Sequence, residues 1–202
     1  MCIRDSVCIG TYTGDNLTTQ SSNTFVGHNA GGGNVAGEVN TYIGMNAGAN
    51  MTTGGYNICL GYAANSSSNT STGQCTLGDA NIGNLRCNDT SISSLSDRRD
   101  KTDIVDLPVG LDFINSVRPV KFKWQTREGT PAKDGKIRAG FIAQELQEAQ
   151  SGSEYLNLVM DENPEKLEAK QGKLIPVLVK AIQELSAQNE ALVARITALE
   201  SN

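Results

Sequence analysis

Hydrophobic positions recur along the first half of the chain with a period of 17 residues. Ile9, Val26, Ile43, Leu60 and Leu77 each stand before a glycine, namely Gly10, Gly27, Gly44, Gly61 and Gly78. The position ahead of each pair holds Cys8, Phe25, Tyr42, Cys59 or Thr76. The unit is clearest in Asn23-Thr24-Phe25-Val26-Gly27 and Asn40-Thr41-Tyr42-Ile43-Gly44. A short β-rich run, a glycine and a set of small turn-forming residues make one strand and one corner. Such a unit cannot bury an apolar face alone, but stacked copies can. The pattern predicts a β-solenoid or a fibre of wound strands over residues 7–81. It then thins to Ile82, Leu85, Cys87, Ile92 and Leu95, which read as short β-type steps of a stem over residues 82–95.

The second half changes period. Leu111, Ile114 and Val117 predict a short helix closed by Arg118-Pro119, because a residue before proline is pushed out of the helical region. Val120, Phe122 and Trp124 alternate with Lys121 and Lys123 as in a half-buried strand, with a partner at residues 137–142 across a loop at 129–135. Residues 143–149 read as a helix, and Trp124 and Phe141 as core anchors. From Ile175 a heptad runs to the end, with Ile175, Ile182, Asn189 and Ile196 at one core position and Leu178, Leu185, Leu192 and Leu199 at the other. This predicts a coiled-coil helix over residues 174–202, with Pro176 tolerated near its start. Isoleucine and leucine in this order, with one buried Asn, favour two strands. Val179, Val193 and Ala181 widen the apolar stripe and favour three, with Asn189 fixing register.

Composition supports the division. Seven of the 39 charged residues and 15 of the 21 glycines lie in the first 90 positions, so helix is expected only in the second half. A net charge of −5 gives no electrostatic footprint for nucleic acid or an anionic membrane. No apolar run approaches the roughly 18 residues of a membrane span, and no signal-peptide pattern opens the chain. The chain therefore reads as soluble and made in a cytoplasm. Five cysteines without a C-x-x-C pair and a single histidine, His28, indicate neither a disulfide framework nor a zinc site, so all five cysteines are expected to be reduced and no metal or cofactor is expected. His28 occupies a repeat position held elsewhere by Thr11, Met45, Tyr62 and Asp79, which makes it interchangeable rather than catalytic. Residues 1–6 read as a leader foreign to the native protein, since Met1-Cys2-Ile3-Arg4-Asp5 is what a common sequencing-library adapter gives on translation.

The segment Ser96-Asp97-Arg98-Arg99-Asp100-Lys101 is, taken alone, a solvated charge run. It nevertheless pairs a hydroxyl with an amine where no histidine is at hand, and a neutral lysine can take a proton from serine. Neutralising Lys101 near pH 7 costs about 4 kcal/mol. Burial and the cations Arg98 and Arg99 favour this, while Asp97 and Asp100 oppose it. At 100° per residue, an unbroken helix would set residues 96 and 101 about 140° apart. Ser96 is therefore expected just before a helix with Asp97 as a candidate N-cap, or else Lys101 meets it across a subunit contact.

Downstream come Gly110-Leu111-Asp112-Phe113-Ile114, Arg118-Pro119-Val120-Lys121-Phe122-Lys123-Trp124, Ala139-Gly140-Phe141-Ile142-Ala143-Gln144-Glu145 and Leu174-Ile175-Pro176-Val177-Leu178. In that order these motifs resemble the C-terminal intramolecular chaperone family of phage endosialidases, tailspikes and tail fibres, also found in the myelin regulatory factor. The upstream repeats are similar to the heads of trimeric adhesins and the shafts of phage fibres. The resemblance implies a mainly β repeat region, either β-solenoid or trimeric β-fibre, then a small α+β chaperone and autopeptidase domain over residues 96–173. It further implies a homotrimer that guides folding of the fibre and then cuts itself off. Ser96 and Lys101 match the family's catalytic dyad, with Asp97, Arg98 and Arg99 as the rest of the motif. Attack on the Leu95 carbonyl passes through a five-membered ring, which favours a cut between Leu95 and Ser96 over one a bond later. The same resemblance implies a virion tail fibre made in the host cytoplasm. Other tail components and a host surface receptor would be met through upstream parts, without nucleic acid or membrane insertion. An uncleaved structural fibre or adhesin is the alternative. A glycan-degrading tailspike would need paired carboxylates in a defined setting, which these residues do not supply.

Overall fold

The computed structural model describes residues 5–89, 91–125 and 135–201. They divide into two compact units. One runs to Cys87 and includes Glu162–Lys166, and the other holds Asn88–Gln125, the remaining described residues up to Asp161, and those from Leu167 onward.

In the first unit five strands of three residues, β1 (Val7–Ile9), β2 (Thr24–Val26), β3 (Thr41–Ile43), β4 (Ile58–Leu60) and β5 (Cys75–Leu77), pair in parallel in chain order. The register advances 17 residues at each step, aligning Cys8, Phe25, Tyr42, Cys59 and Thr76 in one column. This is a β-solenoid. The column is its core: Phe25, Tyr42 and Cys59 are fully buried, and the Phe25 and Tyr42 rings stack 4.9 Å apart with planes 2° from parallel. Glycine is required at the corner after each strand. Gly27 has φ +132°, and a Cβ there would stand 2.6 Å from the Gly44 carbonyl oxygen one turn on.

Before β2, β3 and β4 a buried asparagine ties one turn to the next. Asn23 Oδ1 accepts from the Asn40 backbone N–H at 2.9 Å, Asn40 Oδ1 from that of Asn57 at 2.9 Å, and Asn57 Oδ1 from that of Gln74 at 3.0 Å. Their Nδ2 groups donate to the carbonyls of Gly37, Gly54 and Ser71. The ladder pairs backbone groups that burial would otherwise leave unsatisfied. Cys59, Cys75 and Cys87 are free, but Cys8 is disulfide-bonded, which corrects the expectation that every cysteine is reduced.

Past β5, the described residues up to Leu95 contain no strand and are almost all exposed.

The second unit contains α1 (Leu111–Ser116), the antiparallel pair β6 (Val120–Phe122) and β7 (Arg138–Gly140), α2 (Ala143–Ala149), the pair β8 (Val159–Met160) and β9 (Glu168–Ala169), and α3 (Ile175–Glu200). α1 stops where Val117 turns extended, ahead of Arg118-Pro119. Phe141 packs on a core that includes Leu146, Leu158, Leu174 and Val177. Trp124 does not: β6 ends at Phe122, and Trp124 lies beyond the paired strand, 61 % exposed, its ring meeting Phe122 edge-on. The expected loop over 129–135 lies outside the described residues apart from Gly135.

α3 spans 26 residues, about 39 Å at the helical rise. Two of its faces differ in what they meet. Val177 and Ala181 are buried where α1 packs on α3. Gly110 has no side chain to cap α1, and Glu184 of α3 does so instead, its Oε2 accepting from the Leu111 N–H at 2.7 Å. Ile175, Leu178, Ile182, Leu185, Asn189, Leu192, Ile196 and Leu199 lie on a neighbouring face and are all exposed. Ala181 is covered within its own chain, so it drops out of the case for three strands; Val179 and Val193 are exposed and remain.

Candidate functional site

Ser96 and Lys101 flank a single 3-10 turn, Arg98–Asp100. Asp97 caps it from an extended conformation, its Oδ1 accepting from the Arg99 backbone N–H at 2.9 Å. Lys101 leaves the turn extended, at φ −127° and ψ 140°, and its N–H closes the turn on the Arg98 carbonyl at 3.2 Å. A helix would have separated the two side chains. A tight turn between extended residues lets the lysine reach back, and Lys101 Nζ donates to Ser96 Oγ at 2.6 Å. That is within the reach required of a base and its nucleophile. Leu95, which carries the neighbouring carbonyl, is 98 % exposed.

Residues 96–155 match the family model described as the chaperone of endosialidase. This part of the chain is an endosialidase-type chaperone domain. The match starts at Ser96, crosses α1, β6, β7 and α2, and ends at Tyr155, short of the Leu174-Ile175-Pro176 motif. Comparison with curated proteins and with solved structures gave no match.

The electrostatics at the start of the chaperone domain are local. The Arg99 guanidinium grips the Asp97 carboxylate, Nε at 3.1 Å from Oδ1 and Nη2 at 2.6 Å from Oδ2. These side-chain bonds first, and the Arg99 N–H second, hold the Asp97 carboxyl below its usual range; the guanidinium is held correspondingly higher. Ser96 and Lys101 are both exposed, as are the apolar residues that flank them in sequence, Ile92, Leu95, Ile104 and Val105. Burial of the lysine is therefore not supplied by the described residues of its own chain.

Sequence reasoning gave Asp97 as a candidate N-cap, which it is, but grouped Arg98 and Arg99 together as cations beside Lys101. Arg98 contributes its carbonyl to the turn, while Asp97 and Arg99 form the fork. Glu184 as cap of α1, and the pairing of Arg118 with Glu145 of α2, were also missed. The only available signal for Glu184 was a carboxylate on the helix face next to the heptad seam. His28 is exposed and meets Tyr12 edge-on in the solenoid. Among the described residues no group of three or more His, Cys, Asp or Glu side chains could hold a metal ion, and no helix is long and apolar enough to cross a membrane.

Proposed function

We propose that this chain is the C-terminal part of a bacteriophage tail-fibre or tailspike-like protein. Its chaperone domain assembles as a homotrimer, assists folding of the β-solenoid before it, and releases itself by cutting between Leu95 and Ser96. The observation that carries this reading is the 2.6 Å bond between Lys101 Nζ and Ser96 Oγ, at the first residues of an endosialidase-type chaperone domain.

In the cut, neutral Lys101 takes the Ser96 hydroxyl proton as Oγ attacks the Leu95 carbonyl carbon. The proton passes to the leaving nitrogen and the Leu95–Ser96 amide bond breaks. An ester between the Leu95 carbonyl and Ser96 Oγ remains, beside a free amine on Ser96. Water then hydrolyses the ester, leaving a carboxylate on Leu95 and restoring the hydroxyl. The exposed apolar seam of α3, with Val179 and Val193 beside it, supports association of copies. Copies drawn together by that seam would also supply the burial that Lys101 lacks alone. The product is a virion component made in the host cytoplasm, meeting other tail components and a host surface receptor through upstream parts.

Freshly expressed parent protein should run as two fragments on a denaturing gel, and Ser96→Ala and Lys101→Ala as one full-length band. Unchanged fragmentation in both variants would remove the dyad from the mechanism. The exposure of both side chains in a single chain favours a second reading, an uncut structural fibre or adhesin. That reading predicts full-length bands in the parent as well.

A further inference from the structure

The turn that joins Ser96 to Lys101 has unfavourable electrostatics for a lysine that must be uncharged. Asp97 directly follows the serine, and a free carboxylate so near would pair with the ammonium and hold it charged. Asp97 is not free. Its Oδ1 accepts from the Arg99 N–H at 2.9 Å and from Nε at 3.1 Å, and its Oδ2 from Nη2 at 2.6 Å. This side-on guanidinium fork is the geometry in which even an exposed ion pair holds. Among the described residues no carboxylate is ion-paired with Lys101, whose Nζ is directed at Ser96 Oγ.

We propose that Arg99 is a positioning residue for self-cleavage, occupying Asp97 so that this carboxylate stays off Lys101 and the amine stays on the serine hydroxyl. The proposal rests on the Ser96–Lys101 reading. It divides the motif into a reacting pair and a guarding pair. The other charged side chains of the turn, Arg98 and Asp100, make no ion pair among the described residues.

The test compares the rate at which full-length chain becomes two fragments in the parent, Arg99→Gln, Asp97→Asn and the double variant. Asp97→Asn keeps an oxygen to cap the turn, and Arg98 and Asp100 are unchanged throughout. Arg99→Gln should slow cleavage at least about ten-fold, since an opposite charge beside a titrating group shifts its protonation by about one pH unit or more. With Asp97→Asn as the reference, adding Arg99→Gln should change the rate by no more than about three-fold, and the double variant should cleave faster than Arg99→Gln alone, because without the carboxylate the ten-fold effect of about one pH unit has no source. A fork that only scaffolds the turn predicts the opposite, a double variant as slow as Arg99→Gln or slower. That result overturns the proposal, as does an Arg99→Gln variant that cleaves at the parent rate. Ser96→Ala in the same series separates the two failures. If it still cleaves, the dyad itself is wrong; if it stays whole while Arg99→Gln is unaffected, only the role given to Arg99 falls.

Discussion

A buried asparagine can do two jobs at once, and in the solenoid Asn23, Asn40 and Asn57 do both. The Asn40 oxygen accepts the N–H of Asn57 while its nitrogen donates to Gly54, and the residue is almost wholly removed from solvent. Asn40→Ala would leave a buried donor and a buried acceptor without partners, each costing roughly 1–3 kcal/mol. We expect this variant to lose about 2–6 kcal/mol of stability, seen as a lowered thermal midpoint of the solenoid; a midpoint unchanged within error would contradict the ladder's role. The period of these asparagines was visible in Asn23-Thr24 and Asn40-Thr41, but not their function. A polar residue before a strand reads equally as a turn former, and only stacking at 17-residue intervals brings each amide to the next backbone. Trp124 was misread for a related reason: alternation of apolar positions reveals a strand's faces but not where pairing stops, and pairing stops at Phe122. Ser96 and Lys101 were picked out by the motif they resemble. Their spacing forbids a shared helical face, which left Ser96 just before a helix or Lys101 across a subunit contact, and the structure instead joins them by a 3-10 turn.

At the level of elements, α3 carries two demands on different faces. Leu174, Val177, Ala181 and the Glu184 cap bind it to its own domain, and the seam from Ile175 to Leu199 is left to water in a single chain. A heptad identifies apolar positions without saying which chain covers them, so Ala181 was assigned to the wrong partner. Such a seam buries its apolar side chains only when copies associate. Ile182→Asp puts a charge at the middle of the seam, where Ile182 is 66 % exposed in the single chain and therefore not needed for the internal core. We expect that variant to keep its helical content yet lose self-association by sedimentation or native mass. Retention of the parent's native mass would show that the seam is not an interface.

The whole chain joins a repeat that folds by stacking to a domain that carries its own core and a surface suited to copies of itself. Stacked turns are quasi-one-dimensional, and each depends on its neighbour. In the proposed reading, the chaperone downstream would bring copies into register before the turns set and would be released afterwards. The repeat, the change to helix after about residue 96 and the terminal heptad were all legible in the sequence, because each rests on a period. Which apolar faces remain open was not, because that depends on how α1, α2 and α3 pack. The most direct test of the central claim is intact mass together with native mass on freshly expressed protein. The account predicts two fragments, one ending at Leu95 and one beginning at Ser96, whose masses sum to the full chain plus one water, with the C-terminal fragment three to a particle. A single full-length species with the native mass of one chain would contradict it.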